Sequence, residues 1–78
     1  MTLKQLDRAL DVIARCRQAA ERAASDADRA RWSTSAERLE LALRSRGYNP
    51  PRPTAARLGA TFDESLERLI EDTHELVQ

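Results

Sequence analysis

Apolar residues recur along this chain at intervals of three and four, and nowhere with period two, so helices are expected and no sheet. In "TLKQLDRALDVIARCRQAAERAA" the arc of Leu3, Leu6, Ala9, Leu10, Val12, Ile13, Cys16, Ala20 and Ala23 covers about half of a helix circumference. An arc that wide serves more than one neighbour. Lys4, Arg8, Asp11, Arg15 and Arg22 take the other half, with Asp11 and Arg15 at the spacing of a helix-supporting pair. Thr2 and Gln5 have the spacing of a capping box. The first helix is therefore predicted over residues 2–24, a rod of roughly 35 Å at ~1.5 Å per residue.

"SDAD" (Ser25–Asp28) offers a turn and a new N-cap, with acids suited to a helix N-terminus. A second helix over 26–46 follows, with the stripe Trp32, Ala36, Leu39 and Leu43, and Gly47 placed to end it. Folded back on the first as an antiparallel hairpin, Leu39 and Leu43 come level with Ile13 and Leu10. Trp32 then meets the small-residue surface at 19–23. The competing reading is one unbroken helix through Ser25–Asp28.

A third helix is predicted over 62–77, with Thr61 and Glu64 as its capping box. Phe62, Leu66, Leu69, Ile70, Thr73, Leu76 and Val77 make its apolar face, and Asp63, Glu67, Glu71 and Glu75 an acid ridge opposite. Residues 47–60 form a proline-rich connector, inside which Thr54 to Gly59 has room for one helical turn. The expected fold is thus all-α: a two-helix antiparallel hairpin and a third amphipathic helix in one small domain spanning 1–78.

Composition makes that core thin. Of the 41 % hydrophobic residues in 78, 13 are alanine and 19 are larger, ten of them leucine. Each buried leucine-class side chain yields roughly 1.5–3 kcal/mol against about 1.5 per ordered residue, which balances near zero in a chain this short. Sharing the core with a second copy is the expected remedy, and a homodimer through Leu3, Leu6, Leu10, Ile13 and Arg17 is predicted. Arg17 falls within the apolar arc, as a snorkelling side chain or as a register-fixing partner of Glu21, Glu37 or Glu40. Leu41 projects off the stripe of its helix and suggests a second buried surface.

The zero net charge hides a division. Residues 1–57 carry 12 Lys+Arg against 7 Asp+Glu, a balance of +5, and residues 58–78 carry 1 against 6, a balance of −5. The stretch "RSRGYNPPRPTAAR" concentrates the positive side. Its arginines are expected to face the acid ridge of the third helix, and the intramolecular countercharge competes with any phosphate.

Candidate chemistry changes the picture little. There is no glycine-rich phosphate loop, serine elbow or Cys/His pair at metal spacing, and Glu71-x-x-His74 is half of a di-iron motif with no second half in the chain. Cys16, the single cysteine, reads as a small buried hydrophobe. No enzyme activity, metal or cofactor is expected. No apolar run approaches the roughly 18 residues of a membrane span and no signal-peptide pattern is present, so a cytoplasmic protein without membrane contact is expected.

The function expected is protein binding: a regulator, inhibitor or assembly adaptor that occupies a partner protein's surface. Leu41 and the acids Asp63, Glu67, Glu71 and Glu75 are the candidate contacts. The alternative is a nucleic-acid-binding regulator gripping phosphate with Arg44, Arg46, Tyr48, Arg52 and Arg57. Helical hairpins of this size occur among plasmid RNA-binding regulators, secretion co-chaperones and phage-encoded inhibitors of host machinery, an analogy of architecture alone.

Overall fold

The computed structural model describes residues 1–48 and 61–78. Within them the chain forms three helices, α1 (Leu3–Arg22), α2 (Asp26–Ser45) and α3 (Glu64–Val77), and no strand. Among the described residues no helix is long and apolar enough to cross a membrane. The predicted turn at Thr54 to Gly59, with Arg52 and Arg57, lies outside the described residues.

Each helix begins where a side chain satisfies otherwise orphaned backbone N–H groups. At α1 the capping box forms as expected: the Gln5 N–H donates to Thr2 Oγ1 at 3.2 Å, and the Thr2 N–H to Gln5 Oε1 at 3.1 Å. The chain then turns extended at Ala23, with ψ 135°, and Ser25 Oγ accepts from the Asp28 N–H to open α2. This break overturns the unbroken-helix alternative.

α2 ends on Gly47, whose φ of 93° lies in the region open to glycine without steric cost. The Gly47 N–H donates to the Arg44 carbonyl and the Tyr48 N–H to the Leu43 carbonyl, the pairing of a Schellman motif. One consequence reaches the surface chemistry: the motif returns Tyr48 over Leu43.

α3 starts later than its local pattern predicts. Asp63, not Thr61, is its N-cap, with Oδ1 accepting from the Leu66 N–H at 3.0 Å. The Thr61–Glu64 capping box is a correction, and its cause is long-range. The side chains of Gln5 and Arg46 both seize Asp63, fixing the helix start there.

The core draws on all three helices. Leu6, Ala9, Val12, Ile13 and Cys16 of α1 meet Ala36, Leu39 and Leu43 of α2 and Leu66 and Ile70 of α3, with Met1 beside them. α1 and α2 lie against each other over their length. Leu10 and Ile13 share a groove with Leu43, Arg17 reaches Glu40, and Ala20 and Glu21 share another with Arg29 and Ser33. Trp32 is only half-buried, packed at the edge of the core with the Arg31 guanidinium 4.7 Å from its ring centroid. Cys16 is wholly buried, and that burial pushes its thiol up against the opposing charge of Arg17, so it stays protonated at neutral pH.

Candidate functional site

Two sides of the α1–α2 layer differ sharply in what covers them. On one side lies α3, fastened by a polar clasp centred on Gln5. This glutamine is 2 % exposed, and its amide makes four hydrogen bonds. Oε1 accepts from the N–H groups of Thr2 and Asp63, each at 3.1 Å, while Nε2 donates to the Asp63 carbonyl at 2.8 Å and to Glu67 Oε1 at 3.3 Å. It therefore pairs with the Asp63 backbone as a neighbouring peptide group would.

Arginines complete the clasp. Arg46 Nε donates to Asp63 Oδ2 at 2.5 Å, and its Nη1 to the Ala42 carbonyl at 2.9 Å, which anchors the guanidinium to α2. Arg8 donates to the other oxygen of Glu67. One carboxylate of α3 is thus tied to α2 and the next to α1. The Arg46–Asp63 contact is partly buried and charge-assisted, which makes it worth more than a surface pair, whereas Arg8 meets Glu67 from an exposed position.

Both carboxyls sit below their ordinary range. For Asp63 the hydrogen bond from Arg46 leads, the Leu66 N–H adds to it, and burial opposes both. For Glu67 burial is the largest effect and pushes upward, but the hydrogen bonds from Arg8 and Gln5, with the Arg8 charge, together outweigh it. A carboxyl depressed on folding contributes stability above its unfolded value and loses it as pH falls through the folded one. Stability to urea is therefore expected to drop as pH is lowered from about 5 to about 2, and to drop less in Asp63→Asn/Glu67→Gln, which titrates neither group. Urea midpoints across that range check it.

Among the described residues nothing covers the other side of the layer in this way. Leu10, Ile13, Leu43 and Tyr48 line a groove of about 190 Å³ with Glu40 and Arg44 on its rim. A second, shallower depression joins it across those same two rim residues and adds Arg17, Glu37 and Leu41. Leu41 is 61 % exposed and Leu10 36 %, whereas Ile13 and Leu43 at the floor are buried. Arg17 Nη2 donates to Glu40, so its charge is met across the helix pair rather than left to snorkel.

The predicted site residues sort themselves between these two sides. Leu41, Arg44, Tyr48, Leu10 and Arg17, read separately along the chain, come together on the uncovered side. Asp63, Glu67 and Arg46 belong to the clasp, while Glu71 and Glu75 stay exposed on α3. Of the residues predicted at a dimer interface, Leu6 and Ile13 are buried in the chain's own core, and Leu3 is exposed and lines a separate depression with Phe62. Gln5 and Arg8 went unrecognised as a long-range pair of fasteners. The signal was present: at 100° per residue Gln5 falls between Val12 and Cys16, a polar group inside the buried arc.

The chain matches no protein-family model, no curated protein and no solved structure.

Proposed function

We propose that this chain is a non-enzymatic, cytoplasmic protein-binding regulator, inhibitor or assembly adaptor, and that its contact face is the uncovered side of the α1–α2 layer. In this reading α1 and α2 run antiparallel as a hairpin, α3 braces its back, and the face in front meets the partner. The observation that carries it is the exposed pair Leu10 and Leu41 around a groove walled by Tyr48. Exposed leucines beside an aromatic-walled groove, with Glu40 and Arg44 between them, have the mixed apolar and polar anatomy of a protein contact. Self-association, expected from the thin core, falls to the same face.

The nucleic-acid reading is weakened residue by residue. Arg46 is committed to Asp63, and Tyr48 packs against the core. Of the described candidates Arg44 alone remains outside an ion pair, and Arg52 and Arg57 lie outside the described residues. Salt separates the two readings. The chain immobilised in host lysate is expected to retain protein through a salt ramp, because apolar contacts are not screened. Material that is nuclease-sensitive and sheds between about 50 and 200 mM salt would instead be nucleic acid.

A further inference from the structure

We infer that, when no foreign partner is bound, a second copy of this chain occupies the uncovered face, packed two-fold through α2 about Leu41. The inference rests on the reading that this face binds protein, and names the occupant.

The warrant is a charge pattern that complements itself. Leu41 is flanked one turn earlier by Glu37 and one turn later by Arg44, both exposed and neither engaged in an ion pair among the described residues. Seven residues apart on one helix, these two charges do not reach each other. In an isologous contact each patch meets its own image. A two-fold axis passing between Glu40 and Leu41, with the two α2 helices antiparallel, carries Glu37 of one copy to Arg44 of the other. The relation holds twice. The same operation brings Leu41 over Glu40 of the other copy, at the mouth of the groove lined by Leu10, Leu43 and Tyr48, and that groove receives it. The Arg17–Glu40 pair is already internally neutral and sets no charge against the approach. A foreign partner accounts for the exposed leucines equally well, but gives no reason for Glu37 and Arg44 to be balanced about them.

The test is sedimentation equilibrium on the full chain and three charge variants at high micromolar concentration, with circular dichroism to verify helicity. Wild type is expected at twice 8.8 kDa. Arg44→Glu and Glu37→Arg, each placing like charges together at both ends of the interface, should weaken the dimer about tenfold or more. Glu37→Arg/Arg44→Glu should restore it. An equimolar mixture of the two single variants should also form a dimer, since each supplies the charge that the other needs. Wild type at 8.8 kDa overturns the proposal. So does a dimer indifferent to all three variants, which would place the contact elsewhere, with Leu3 and Phe62 as the next surface. Neither failure touches the protein-binding reading, which the response of foreign capture to a change at Leu41 decides separately.

Discussion

Leu39→Ala is expected to cost about 3–5 kcal/mol and to leave much of the chain unfolded at room temperature. Leu39 is wholly buried in the cluster to which all three helices contribute, and alanine there opens a cavity that a close-packed interior cannot collapse. The chain has few large apolar side chains to lose. Trp32→Ala, the larger excision on paper, should cost less, about 2–3 kcal/mol, since up to about a third of the ring's burial value is never gained at this partly buried site. Urea denaturation of the two variants side by side gives the order. A Trp32 variant less stable than the Leu39 variant would show that the core centres on the tryptophan.

Gln5→Leu is the second large effect, although it adds apolar character inside an apolar arc. Leucine fills the space but returns none of the four hydrogen bonds. The Asp63 N–H and carbonyl and the Thr2 N–H lose their partner in a partly buried setting, and the loss should be about 2–4 kcal/mol. It should fall first on α3. Amide exchange ought to accelerate across Glu64–Val77 well before it does across Asp26–Ser45. Gln5→Glu, nearly the same shape, should do at least as much harm at neutral pH, because a carboxylate cannot donate to the Asp63 carbonyl and stands against Glu67. Uniform acceleration in all three helices would mean that the clasp is no more than part of the general core.

Helix number and most boundaries were legible because they rest on local rules: the Thr2–Gln5 box, Ser25 as a cap and Gly47 as a stop act within a turn or two. What local rules missed were choices made at long range. Thr61-x-x-Glu64 is a sound capping pattern, yet Gln5, 58 residues away from Asp63, determines where α3 begins. The acid ridge divides for a geometric reason. Residues four apart advance by about 40° around a helix, so Asp63, Glu67, Glu71 and Glu75 wind from the edge of the apolar face out to solvent. Asp63 and Glu67 are drawn into the clasp, Glu71 reaches it only through Glu67, and Glu75 stays exposed. The +5 and −5 division anticipated attraction between the blocks. Arg46 meets Asp63 as foreseen, while Arg8, assigned to solvent, takes Glu67.

The central claim is that partners meet the Leu41 side of the α1–α2 layer and not the acids of α3. Capture of host proteins on immobilised wild type, Leu41→Asp and Glu71→Lys/Glu75→Lys chains, each first shown by circular dichroism to be folded, tests it most directly. All the altered positions are exposed, so stability should change by no more than about 0.5 kcal/mol. The account predicts that Leu41→Asp loses the captured protein, by tenfold or more for a charge placed in an apolar contact core, while the double lysine variant retains it. Retention by Leu41→Asp together with loss from Glu71→Lys/Glu75→Lys would contradict the account and make α3 the binding surface.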